Sequence, residues 1–384
     1  MAADRFGGIR RTVLAPVALL SVLSGCVSTP VAGTAAVDAC SARIAVFGPL
    51  SGESANLGRN IGEGVRLAVD QYNRDRPDCP VRVVDFDSQG DPKRAPALAQ
   101  QVVADQRILG VVGPAFSGES EAANPLLDQG SVATISASAT AASLSERGWA
   151  TFHRVLGSDD TQGPAAGRYI DTVLAGRKVF VIDDAGAYGQ GLASKVIEVL
   201  GDRVVQSITM PPGRADIGDI VTQIQAAAPD TIFYGGYYGE AGRLLRQARA
   251  AGVTATFVAG DGVKDDGFVA EAGLTAAQDA VITCPCRPPE TVGGSFTRDY
   301  HDMFGRPPGT FSAEGYDAAT VFLRGIEADR LSRRAMVRFV SSYEGPGLTT
   351  TVRFTPSGEL VDSSVTVWSY QVRGRALVAD RPIP

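Results

Sequence analysis

Short apolar runs, rich in β-branched residues, recur along the chain and are bounded by Gly, Pro, Asp or Ser. They are 43–47 (RIAVF), 81–86 (VRVVDF), 108–112 (ILGVV), 132–135 (VATI), 178–182 (KVFVI), 203–208 (RVVQSI), 231–234 (TIFY), 256–259 (TFVA) and 280–283 (AVIT). Runs of this length and composition predict strands. Between them lie stretches of helical period: 61–73, 95–105, 164–174, 191–200, 217–228 and 239–251, in the last of which Leu244, Leu245 and Ala248 share one face. Strands alternating with helices predict right-handed βαβ units and parallel sheets. Nine such strands exceed what one small doubly wound domain usually holds, so the pattern predicts two α/β lobes. The C-terminal part differs, with helical patterns at 294–304, 313–328 and 333–342 and then β-rich segments at 348–354 and 364–373.

The pattern at the N-terminus is of another kind. Arg5, Arg10 and Arg11 precede an apolar run over 12–23. The run is shorter than the ~20 residues that span a bilayer. A basic start followed by a short apolar core reads as an export signal, with Sec and twin-arginine routes both open. It ends in Leu23-Ser24-Gly25-Cys26, which resembles the lipobox of bacterial lipoproteins. The resemblance implies a signal over 1–25, acylation of Cys26 and anchoring to the outer face of the cell membrane. Residues 26–42 are small, polar and Pro- and Gly-containing, and read as a tether. No later stretch reaches the length of a span.

Composition narrows the chemistry. The chain has 384 residues, 20% charged and 44% hydrophobic, with a formal net charge of −6. Mild acidity argues against a nucleic-acid partner, because no basic excess exists to neutralise phosphates. With only His153 and His301, a histidine-rich metal enzyme is not expected. Either could in principle be a general base, but no G-x-S-x-G elbow accompanies them. Gly189-Gln190-Gly191 lacks the third glycine of a dinucleotide fingerprint and no Walker A motif occurs. Beyond Cys26 there are Cys40, Cys79, Cys284 and Cys286. Cys40 and Cys79 each sit just ahead of a strand-like run. If those strands are parallel neighbours, a Cys40–Cys79 bridge is plausible. Cys284-Pro285-Cys286 can close a small ring or stay reduced. A zinc site is the rival, but paired CxxC knuckles are lacking.

In open α/β sheets ligands bind at the carboxyl ends of strands, where helix N-termini point N–H groups into a crevice. The strand-to-helix loops there offer Ser117 after the third run, Ser138 and Thr140 after the fourth, Tyr188 after KVFVI, Tyr237 after TIFY and Asp261 after TFVA. Hydroxyls beside helix starts suit a carboxylate. A buried ammonium needs an acid, and aromatics suit an apolar tail. Each residue also has a plainer role: Ser117 and Thr140 as helix caps, Asp261 as a turn residue, the tyrosines as packing.

These loops, in this order, resemble the type I periplasmic binding proteins of branched-chain amino acid uptake. The resemblance runs from about Arg43 onward. It rests on Phe47-Gly48-Pro49-Leu50-Ser51-Gly52, Asp91-Pro92-Lys93, Gln162-Gly163-Pro164, Tyr188-Gly189-Gln190-Gly191 and Tyr234-Gly235-Gly236-Tyr237-Tyr238. It implies two lobes joined by three hinge crossovers, with 43–155 plus 285–348 in the first and 156–284 plus 349–384 in the second. It implies that Ser117 holds the ligand carboxylate, that Thr140 contacts the ligand by its hydroxyl and Ser138 by its backbone, that Tyr188 and Tyr237 are the second lobe's aromatics, and that Asp261 pairs with the α-ammonium. Leu57 falls where familiar members carry a tryptophan. Gly90 and Phe116 replace the family's first-lobe disulfide. The implied function is that of a monomeric substrate-binding lipoprotein without cofactor or catalysis. It would deliver an amino acid, branched-chain or otherwise aliphatic, to the permease and ATPase subunits of an ABC importer. The alternatives are a binder of an amide, urea or aromatic acid, and a ligand-sensing receptor ectodomain.

Overall fold

A computed structural model describes Gly7, Gly8 and residues 35–214, 216–361 and 365–384. Apart from Gly7 and Gly8, the expected signal lies outside the described residues, as do Cys26 and the tether up to residue 34. From Ala35 onward the chain builds two sheets. The first holds β1 (Arg43–Gly48), β2 (Arg82–Asp87), β3 (Ile108–Val112), β4 (Ala133–Ser136) and β5 (Phe152–Arg154). The second takes β6 (Val179–Asp183), β7 (Val204–Thr209), β8 (Thr231–Gly235), β9 (Thr256–Ala259) and β10 (Val281–Cys284). A small hairpin, β11 (Glu344–Pro346) with β12 (Thr351–Arg353), precedes β13 (Val367–Arg373) and β14 (Ala376–Ile383).

The first sheet runs β2-β1-β3-β4-β5 and every pairing in it is parallel. The second runs β14-β13-β10-β9-β8-β6-β7, parallel from β10 to β7 with β13 and β14 antiparallel at one edge. Helices cover both faces, so β3, β4, β6 and β8 are buried at every residue. That is why they read as unbroken apolar runs and not as alternating ones. Edge strand β7 does alternate, half-buried with exposed. The chain passes between the sheets three times: after β5, after β10 and before β13. Helices Phe296–Phe304, Ser312–Glu327 and Arg333–Ser341 return to the first lobe between the last two passages. Helix Ser312–Glu327 packs closely on helix Ala55–Arg74 because both carry glycine at the contact. A Cβ on Gly64 would strike the Ser312 carbonyl, and one on Gly315 would come 2.5 Å from the Ile61 carbonyl oxygen.

The structure departs from the sequence reading in several places. The helix expected from residue 61 begins at Ala55, because Leu57 is buried on the same face as Ile61. The three residues of β5 were not expected, since His153 and Arg154 mask a strand that is wholly buried. The boundary expected at residue 348 falls inside the hairpin. Gly358 O accepts from Arg154 N at 3.0 Å, and Glu359 takes the Arg154 guanidinium, with Oε2 2.8 Å from Nε. Residues 349–361 therefore stay against β5 in the first lobe. Cys40 and Cys79 are joined in a disulfide just ahead of paired strands β1 and β2, and Cys284 and Cys286 in another at the second passage. No helix among the described residues is long and apolar enough to cross a membrane.

Candidate functional site

The carboxyl ends of the two sheets face one another, and six of the seven residues expected to bind ligand line one small cavity of about 10 Å³: Leu57, Ser117, Ser138, Tyr188, Tyr237 and Asp261. Phe116, Gly262 and Phe311 complete its wall. Thr140 is buried behind it, and its carbonyl accepts from Asp159 N at 2.8 Å. The first-lobe side is built on the start of helix Ser117–Gln129, whose free N–H groups favour an anion. Ser117 Oγ accepts from Ala141 N at 3.1 Å, which ties the loop after β4 to this helix. Ser138 Oγ donates to Ala115 O at 2.5 Å, and Ser136 Oγ to Pro114 O at 2.9 Å.

The second-lobe side is acidic and aromatic. Tyr188 Oη donates to Asp261 Oδ1 at 2.7 Å and accepts from Gly262 N at 3.0 Å. Tyr188 and Tyr237 lie 5.4 Å apart between ring centroids, and Tyr237 stacks at 4.2 Å on Phe116 of the other lobe. The lobes are closed on each other. Tyr238 Oη donates to Glu53 O at 2.6 Å, Arg243 pairs with Glu53, and Asn56 Nδ2 donates to Asp265 Oδ1 at 2.9 Å.

Burial pushes the Asp261 carboxyl up to about 6, opposed by the Tyr188 hydroxyl. A second acid, not singled out from sequence, lies close by. Asp159 is fully buried and neither of its carboxylate oxygens has a hydrogen bond of proper geometry. Burial raises it well above the ordinary range, and the charge of Asp261 adds to the shift. Thr140 Oγ1 and Gln162 Oε1 are also buried without partners. Unsatisfied acceptors at this density are rare in a finished interior. The nearby Arg154 guanidinium is already held by Glu359 and by the carbonyls of Ala139 and Ala141. Sequence did carry a signal for Asp159, which opens the helix containing Gln162-Gly163-Pro164. Phe311 carried none: it comes from the segment between the second and third passages, at the head of helix Ser312–Glu327, with φ 66°. The side chains on the two sides are of the types that pair with a carboxylate and with an ammonium.

The histidines stand elsewhere. His153 is buried in the first lobe against Phe354, its rings 4.8 Å apart, and burial lowers it to about 4. Its Nε2 lies 3.1 Å from Ser341 Oγ, away from the cleft. His301 is exposed on helix Phe296–Phe304. Among the described residues no group of three or more His, Cys, Asp or Glu is arranged to hold a metal ion.

A family model described as periplasmic binding protein matches residues 41–374. The leucine-, isoleucine-, valine-, threonine- and alanine-binding protein of Pseudomonas aeruginosa is 30% identical over 338 residues, 85% of this chain and 89% of that protein. The Leu/Ile/Val-binding protein of Escherichia coli (strain K12) is 31% identical over 270 residues, 69% of this chain and 72% of that protein. Among solved structures, the branched-chain amino acid transporter substrate binding protein of Streptococcus pneumoniae in complex with isoleucine has a TM-score of 0.81 at 25% identity, covering 89% of this chain and 99% of that one.

Proposed function

The chain belongs to the periplasmic binding protein family, and from that premise we propose that it captures an L-amino acid between its lobes and delivers it to the permease of an ABC importer. One observation carries the reading. Hydroxyls and a helix N-terminus on the first lobe face a buried acid and its tyrosine on the second, around a single cavity. A zwitterion satisfies both sides at once. Ser117, Thr140 and the backbone at Ser138 take the α-carboxylate. Asp261, with Asp159 behind it, takes the α-ammonium. Leu57, Tyr188 and Tyr237 enclose the start of the side chain. The relatives' names, and the isoleucine in the pneumococcal structure, favour an aliphatic ligand.

The action is a hinge motion. Open lobes admit the ligand, closure excludes water and strengthens every polar contact in the site, and the closed form docks on the permease. No bond of the ligand is broken. Cys26 carries the lipid that keeps the protein on the outer face of the membrane. The lobes consist of 43–155 plus 285–361 and of 156–284 plus 365–384. Calorimetry against a panel of L-amino acids tests the reading, and silence from every member at millimolar concentration would sink it. An unchanged affinity in Asp261→Ala would favour a neutral ligand such as an amide. Mass spectrometry of the membrane fraction checks acylation, which Cys26→Ser should abolish.

A further inference from the structure

Resting on the amino-acid reading above but replacing its aliphatic side chain, we infer that the ligand's side chain passes the Phe116 ring into a second, outer cavity, and that the preferred ligand is an L-amino acid with a long side chain ending in a cation. The inner cavity, at about 10 Å³, has space for little more than one water. Across the same aromatic wall, between the two lobes, lies a cavity of about 390 Å³. That is the size of ordinary ligand sites, about 300–1,000 Å³. Phe116, Tyr188 and Tyr237 are walls of both cavities.

Phe116 is the natural gate between them. Its backbone is fixed, since its N–H donates to Glu119 Oε2 at 3.0 Å. Gly90 lies beside its ring edge, where a Cβ would sit 3.4 Å from Phe116 Cε2, so no side chain at that position blocks the ring. Turning the ring off Tyr237 joins the two spaces. The aromatic faces then line a passage suited to methylene groups and to a passing cation.

The charge of the outer cavity selects the tip. Asp184 is only 5% exposed, and it lines this cavity. Its Oδ1 accepts from Gly186 N at 2.8 Å, and it has no ion pair among the described residues. Glu240 lines the same wall, and the one cation beside it, Arg243, also serves Glu53. A buried carboxylate without a counter-charge is costly. An ammonium or guanidinium at the end of the ligand supplies that charge, an aliphatic tip does not, and an acidic tip adds to the repulsion.

The test is calorimetry on the full chain with L-arginine, L-lysine, L-leucine and L-glutamate. Arginine or lysine should bind at least about tenfold tighter than leucine, and glutamate weakest. Asp184→Asn keeps the bond to Gly186 N and removes the charge. It should cost the cationic ligands about tenfold or more and leucine less than about threefold. Phe116→Leu, a change that preserves an apolar core, should alter the ratio of arginine to leucine affinity. Leucine binding as tightly as arginine and lysine overturns the inference while leaving the amino-acid reading intact. An arginine preference that Asp184→Asn does not reduce overturns it as well. Failure of all four ligands overturns the reading on which it rests.

Discussion

The two halves of the site are finished to different degrees. On the first lobe, Ser117, Ser136 and Ser138 each have a hydrogen-bond partner within the protein, and of the hydroxyls there Thr140 Oγ1 is the one buried without one. On the second, Asp159 and one oxygen of Gln162 are buried with none, and Asp261 has a tyrosine but no cation. The first half is thus largely a preformed mould, tied by its own loops, with the Thr140 hydroxyl left for a ligand. The second holds buried acids that a proton or a positively charged ligand group relieves. Affinity should come mainly from the second half and shape from the first.

The sharpest way to break this comparison is Asp261→Ala. It should weaken amino-acid binding by a hundredfold or more, since leaving one member of a buried charge pair alone costs about 3–5 kcal/mol. Asp159→Asn should weaken binding by about tenfold and yet raise the melting temperature of the ligand-free protein, because an unpaired acid is removed; calorimetry and thermal unfolding read the two effects. Ser117→Ala should cost less than either acid, about 1 kcal/mol. Equal losses at Ser117 and Asp261 would erase the distinction between the halves.

Acidity gives a subtler test. Burial raises Asp261 and Asp184 to about 6 and Glu119 to about 7, above the ordinary carboxyl value near 4. Between those values these three carboxyls hold more protons in the folded chain than in the unfolded one, and together they outweigh His153, whose lowered value acts the other way. Stability of the ligand-free protein should therefore fall as pH rises from about 4 to about 7, and then level off. Ligand affinity should run the other way. It should drop as pH falls through about 6, where Asp261 gains a proton and ceases to attract an ammonium. Melting curves and titrations at pH 5 and pH 8 check both slopes.

Most of the architecture was legible because buried parallel strands must be apolar on both faces, and they stand out as runs. The exceptions share one cause. In β5 the charge of Arg154 hides the strand, and its partner Glu359 is 205 residues away, where no local pattern can reveal it. β14 mixes Asp380 and Arg381 into an edge strand and reads as loop. The cavity-lining residues that lie in strand-to-helix loops were legible from their type and order. For Asp159 the one signal was its place at the head of the helix with Gln162-Gly163-Pro164, and its significance comes from burial under packed helices. Phe311 was not legible, because the chain carries it in from a different passage.

The second passage between the lobes is not a free thread. Cys284 ends β10 and is bonded to Cys286 across Pro285, so the chain leaves the sheet through a closed loop of a few atoms. Such a link transmits torque but cannot lengthen. Of the three passages this is the one closed by a disulfide, so the rotation that the proposed capture requires is most constrained here. With the turn constrained there, the side of the cleft farthest from Pro285 would travel farthest, which would make that rim the surface whose position most clearly reports open or closed to a docking partner.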